Sequence, residues 1–136
     1  MKSSLVAGLA HTHRWEVDIG RTIGFMGEDA RVYNTPALIY DLEVTCRELL
    51  LEHSDAGEDS VGTRVEIDHM APTLLGQWVE ITVAIAEIKG KAVSFTFTAR
   101  DSLDAIAKGT HNRFIVDVGQ TKARLLAKAE KVKAAS

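Results

Sequence analysis

Two polar residues stand where the hydrophobic pattern reserves apolar ones. Glu43 falls inside Thr35–Leu51, TPALIYDLEVTCRELLL, a run whose period reads as one helix. At about 100° per residue it lies among Ile39, Tyr40, Cys46, Arg47 and Leu50, away from the polar edge of Asp41 and Glu48. His69 shares a strand face with Val61, Val65 and Ile67, and a slip of one residue would expose that whole set. A carboxylate and an imidazole held away from bulk water can move protons. Thr35 completes the group at the head of the helix, where its hydroxyl suits the N-cap with Pro36 at the first helical position.

Each of these residues also has a plain structural reading. Glu43 and Arg47 are four apart and can form a helix-surface ion pair. His69 can be a hydrogen-bonded core residue, Thr35 only a cap, Gly62 a bulge and Cys46 core filler. His11, His13 and His53 lie in polar neighbourhoods without ligand spacing. No HExxH, CxxC, P-loop or GxSxG occurs, so motifs suggest no metal and no phosphate-loop cofactor.

The elements that must position Glu43 and His69 follow from periodicity. The helix carries one stripe of Leu38, Leu42, Thr45 and Leu49 and a second of Ile39, Cys46 and Leu50, too much apolar surface for an exposed helix. Before it, residues 1–10 read as a loosely held lead-in. His11–Ile19 reads as a strand with Trp15, Val17 and Ile19 on one side. RTIGFMGEDARVYN reads as a loop that shapes a pocket. After the helix, four segments alternate as strands: Ser60–Ala71, Trp78–Ile88, Lys91–Asp101 and Asp104–Val118. Lys89-Gly90 marks a hairpin, and Gly109 marks a bulge or a close approach. Gln120–Ala134 is a basic helix or frayed tail. Strands around one buried helix make an α+β arrangement.

Composition sets the limits. The chain has 136 residues, the length of one domain, with residues 1–10 and 120–136 peripheral. Net charge is −3 and pI about 5.9, which argues against nucleic acid as a general partner. The single cysteine excludes an internal disulfide and suits a reducing cytoplasm. No run can span a bilayer, and the N-terminus lacks the features of a signal peptide.

Three stretches, TPALIYDLE, SVGTRVEIDHMAPTLLG and KGKAVSFTFTARDSLDAIAKGTHNRFIVD, carry a resemblance that runs from Val32 to Val118. In the joint spacing of its Thr, Glu, VGT, His and GTHxR segments, the chain resembles the fluoroacetyl-CoA-thioesterase-like family of single-hotdog acyl-CoA thioesterases. The resemblance implies a hotdog fold, an antiparallel sheet of about five strands wrapped around a central helix. It also implies a homodimer, with tetramers open, and active sites near the interface. The family's functional positions fall on Thr35, Glu43 and His69, with Gly62 on the strand leading to the His and with His111 and Arg113 in the GTHxR segment. Fluoroacetyl-specific members carry aromatic residues just before the Thr. Here that segment is GEDARVYN, with Tyr33 alone, so the expected substrate is a general small acyl-CoA.

On this resemblance, Glu43 is expected to be general base or nucleophile, His69 its proton partner, and Thr35 a positioning group. Oxyanion donors are expected from the backbone of Ala37 or Leu38, since Pro36 has no N–H, or from Gly62. Arg113, Lys91 and Arg64 are candidates to meet the CoA phosphates. No cofactor is required, CoA being part of the substrate. Thr35 and Glu43 are about 12 Å apart along a helix axis, which leaves room for substrate or water between them. Three other readings stay open: a hotdog hydratase, which would call for D-x-N-x-x-H near the helix start, a non-catalytic acyl-CoA-binding module, and a plain structural dimer.

Overall fold

The helix predicted from Thr35 forms as α1 (Thr35–Glu52), and the rest of the chain wraps it. The computed structural model describes residues 1–136. Leu38, Leu42, Thr45, Cys46, Leu49 and Leu50 of α1 are buried. Their spacing of three and four residues sets them on one broad stripe, which is why the helix needs a sheet to cover it.

That sheet is built from β1 (Ala10–Glu16), β4 (Glu58–His69), β5 (Trp78–Lys89), β6 (Ala92–Arg100) and β7 (Ala105–Asp117). Its order is β1-β5-β6-β7-β4, and every pairing is antiparallel. Val79, Ile81, Val83 and Ile85 on β5 and Val93, Phe95, Phe97 and Ala99 on β6 alternate inward and are buried. The α1 helix packs against β1, β4 and β5. This is the hotdog arrangement expected: one helix held by five antiparallel strands, with β1 and β4 as the two sheet edges.

Between β1 and α1 the chain forms two short 3-10 turns, Ile19–Arg21 and Glu28–Ala30. A small ribbon joins β2 (Thr22–Ile23) to β3 (Val32–Tyr33). A second helix, α2 (Val118–Ala135), follows β7 with Asp117 as its N-cap, and none of its residues is buried. No helix of the molecule is long and apolar enough to cross a membrane.

Several local expectations are corrected. Asn34, not Thr35, is the N-cap of α1: its side chain accepts from the Ala37 N–H at 2.7 Å. Thr35 is therefore the first helical residue, and its hydroxyl is free for another partner. Asp41 is not on a polar edge. It lies three residues after Leu38 and four before Thr45, and is 1% exposed. The lead-in is anchored, because Leu5 is buried in the core and the Gly8 N–H donates to the Ile85 carbonyl at 2.8 Å. The β4 face also changes part-way. A bulge between Gly62 and Arg64 inserts one residue, so Ser60 is buried and Val61 exposed, while Val65, Ile67 and His69 turn inward.

Candidate functional site

The α1 helix and β4 run in opposite directions across each other, and two polar clusters mark the ends of their crossing. At one end the Thr35 hydroxyl shares a 2.8 Å hydrogen bond with His69 Nδ1. His69 stands half-buried, with its Nε2 buried and without a hydrogen-bond partner. Burial holds the His69 imidazole below its usual pKa, so at neutral pH it is uncharged. An unpaired buried ring nitrogen is costly unless something supplies the missing bond.

A cleft of about 390 Å³ opens over this pair. Its walls come from Ile23, Phe25 and Val32 of the β2–β3 segment, Pro36 of α1, and Met70 and Pro72 after β4. The lining is largely apolar, with Thr35 and His69 as convergent polar groups, the character of a small-molecule site. Phe25 is 83% exposed at its rim. The loop that builds this wall is locked from beneath. The Tyr33 hydroxyl donates to Asp41 Oδ2 at 2.6 Å, and Arg21 donates to both Asp41 oxygens at 2.9 and 3.1 Å. Burial and this bond raise the Tyr33 pKa, so the phenol stays protonated as a donor.

At the other end, Glu43 faces Gly62, His111 and Arg113. A Cβ on Gly62 would collide with Glu43 Oε1 and press on His111 Cε1 at 3.1 Å, so glycine is what lets the carboxylate lie against the strand. Arg113 is 5% exposed. It donates from Nε to Ser60 Oγ and from Nη2 to the Ser60 carbonyl, both at 2.8 Å. Its Nη1 reaches His111 Nε2 at 3.2 Å and Glu43 Oε1 at 3.5 Å. His111 donates from Nδ1 to the Arg64 carbonyl at 2.8 Å. Burial lowers its pKa, which keeps Nε2 a neutral acceptor for Arg113. His111 therefore has no proton to offer Glu43, although the two stand 3.8 Å apart.

The anticipated meeting of Glu43 with His69 does not occur within one chain. Eight helical residues carry Glu43 about 12 Å along α1 from Thr35, and the antiparallel β4 puts Gly62, not His69, opposite it. Arg113 is not a surface cation waiting for phosphate, because β7 turns it inward to Ser60. The Glu43–Arg47 ion pair is also not formed: Arg47 grips Asp59 instead, at 2.9 and 2.8 Å. Nor are Ala37 and Leu38 free donors. The Ala37 N–H serves the Asn34 side chain and the Leu38 N–H serves the Asn34 carbonyl. Thr35 keeps the free N–H at the start of α1, a donor that the sequence reading missed because it put the cap one residue late. Asp41 was missed for a similar reason, although its place on the Leu38–Thr45 stripe was a signal.

Comparisons with known proteins agree with this fold. The family of fluoroacetyl-CoA-specific thioesterases matches residues 17–119. The fluoroacetyl-CoA thioesterase of Streptantibioticus cattleyicolor is 26% identical over 132 residues, covering 92% of this chain and 95% of that one. A crystal structure of a point mutant of the fluoroacetyl-CoA-specific thioesterase with fluoroacetate and CoA superposes with a TM-score of 0.79 at 25% identity, over 86% of this chain and 99% of that one. A Thermus thermophilus thioesterase superfamily member superposes with a TM-score of 0.88 at 24% identity, over 97% and 98% of the two chains, and bears on the fold alone.

Proposed function

The chain belongs to the fluoroacetyl-CoA-specific thioesterase family, and from that premise we propose that it hydrolyses a small acyl-CoA thioester to the free acid and CoA. The observation that carries this reading is the Thr35–His69 pair under an apolar cleft, with a neutral imidazole whose Nε2 lacks a partner. A thioester lying in the cleft supplies that partner.

In this reading the site is completed across a homodimer: Glu43 of a second copy comes to the Thr35–His69 pair where the thioester carbonyl lies, because about 12 Å separates the two clusters within one chain. Glu43 takes a proton from the water that attacks the thioester carbonyl. The Thr35 N–H, at the electropositive start of α1, donates to the oxyanion that forms. Collapse of the tetrahedral intermediate breaks the C–S bond. The proton that Glu43 took passes to the departing CoA thiolate, while the neutral imidazole of His69, held in place by Thr35, hydrogen-bonds the reacting thioester through Nε2. Arg113 keeps Glu43 against Gly62. If Glu43 attacked the carbonyl itself, an acyl-enzyme anhydride would form, and water opening it at the Glu43 carbonyl would leave ¹⁸O in that carboxylate after a single turnover in ¹⁸O-water.

A small acyl group fits the cleft volume of about 390 Å³. Of the three candidates for the CoA phosphates, exposed Lys91 and Arg64 remain once Arg113 is accounted for, with Arg64 paired to Glu66 on the surface. A homodimer paired along the open edge of β4 is part of the proposal, because a 12-residue strand with one unpaired side is a template for a second copy. A cytoplasmic location accords with the buried, unpaired Cys46.

The test is thiol release from a panel of short acyl-CoAs by the purified protein and its Glu43→Ala and His69→Ala variants. Steady CoA release that falls by about 10²–10⁴ in each variant supports the reading. Tight acyl-CoA binding without release would point instead to a binding module.

A further inference from the structure

On the far side of α1, three side chains converge that the thioesterase reading does not use. His11 and His13 are two residues apart on β1, so both point to the helix-facing side of that edge strand. Glu48 of α1 meets them. His11 Nε2 lies 3.2 Å from Glu48 Oε1, and His13 Nδ1 lies 2.8 Å from Oε1 and 3.1 Å from Oε2. The two rings present different nitrogens, which lets side chains about 6.6 Å apart along a strand reach one point. One donor atom from each residue falls within 4.8 Å of the others.

We infer that His11, His13 and Glu48 bind one divalent transition-metal cation of the zinc class, with solvent completing its coordination. Two imidazoles and a carboxylate are a donor set that suits zinc. Ligand atoms about 2.1 Å from a tetrahedral ion stand roughly 3.4 Å from each other. The two His–Glu48 distances need to open by about 0.2 and 0.6 Å, and the two ring nitrogens, which lie within 4.8 Å of each other, to stand at about the same 3.4 Å. The cation would take the place of the two protons now shared with Glu48.

The site is preorganised. The His13 ring stacks on Trp15 with centroids 3.7 Å apart and planes 7° from parallel. Trp15 is held in turn by its Nε1–H, which donates to Thr45 Oγ1 at 3.1 Å. All three ligand side chains are half-buried, at 27%, 31% and 34% exposure, so an ion can enter. The place is also separate from the cleft. Glu48 lies 13 residues beyond Thr35, about 20 Å along the helix, and five beyond Glu43, which turns it about 140° around the axis. A metal there clips the edge strand β1 to the central helix and takes no part in acyl transfer.

The experiment uses the full chain stripped with EDTA and titrated with ZnCl₂ in a calorimeter, with thermal unfolding followed in parallel. One zinc per chain and a zinc-dependent rise in Tm are expected. Glu48→Gln, which keeps the side-chain shape, and His13→Ala should each weaken binding at least by the roughly 10–100-fold that losing even an outer-shell partner costs. Their far-UV spectra should match the parent. His53→Ala and His69→Ala should bind zinc as the parent does. Failure of the parent to bind zinc would overturn the inference. So would binding that survives Glu48→Gln and His13→Ala, or that disappears with His69→Ala.

Discussion

The hydroxyl of Thr35 stands 2.8 Å from Nδ1 of His69, which ties the first residue of the central helix to the last residue of β4. This bond orients the ring and leaves Nε2 for a partner that the chain does not supply. His69→Ala should lower kcat by about 10²–10⁴. Thr35→Ala should fall by less, and Thr35→Ser should recover most of the loss because it restores the hydroxyl. Steady-state thiol release on the three variants checks the order. Equal activity in Thr35→Ala and Thr35→Ser would show that the hydroxyl is idle.

Burial pushes the His69 pKa below its ordinary 6.5, and that of His111 in the same direction. For a base whose folded pKa is depressed, the unfolded chain takes up protons first as pH falls. Stability is then complete above about 6.5 and is lost as pH drops from there toward the folded values. The same sign governs catalysis, because the neutral ring persists to lower pH. The acid limb of kcat/KM is expected below pH 6.5, and urea midpoints should decline over the same range. An acid limb centred above 6.5 would contradict the burial argument.

Gly62 makes room for Glu43, and the two should be coupled. Gly62→Ala drives a methyl group into Glu43 Oε1. A loss of stability below about 1 kcal/mol is expected, because the obstructing atom ends a flexible side chain that is 40% exposed, along with a fall in kcat. In a Glu43→Ala background most of that stability loss should vanish, since the obstructing carboxylate is gone. A double-mutant cycle by urea denaturation measures the coupling. Additive losses would mean that the two residues do not press on each other.

Arg113 is a buried cation whose pKa is lowered by desolvation, and three of its contacts go to Ser60 and His111. Arg113→Ala leaves those groups unpaired and should cost about 2–4 kcal/mol. Glu43 adds little to that cost, because its side chain is 40% exposed and can rehydrate. Lys91→Ala and Arg64→Ala should instead leave stability alone, raise KM for acyl-CoA, and flatten its dependence on salt. A KM indifferent to NaCl in the parent protein would remove both as phosphate contacts.

Tyr33, Asp41 and Arg21 hold the β2–β3 wall of the cleft. Tyr33→Phe withdraws a 2.6 Å donor from a carboxylate that is 1% exposed. About 1–3 kcal/mol of stability should be lost, with KM rising before kcat falls, as the wall loosens but the reacting groups stay. A kcat loss at unchanged KM would place Tyr33 in the chemistry instead.

Much of this molecule was readable from its residues. Period 3.6 over Thr35–Leu51 and period 2 over four later segments are consequences of backbone geometry alone, and they set the helix and the strands. The spacing of Thr35, Glu43, Gly62 and His69, with the GTHxR segment, pointed to the family. What misled was in part a local pattern that tertiary contacts override and in part a local competitor passed over. The bulge after Gly62 removed Val61 from the inward face. Asn34 displaced Thr35 as the cap, and Asp59 drew Arg47 away from Glu43.

Sequence by itself determined α1 and the four later long strands to within a few residues, placed the first strand in part, and therefore required that a sheet wrap the helix. Only the tertiary structure decided the partners: His69 with Thr35, Glu43 with Gly62 and Arg113, and Glu48 with His11 and His13. Periodicity is a property of the chain's own repeat. A partner across the fold depends on strand register and crossing direction, and no single segment encodes either.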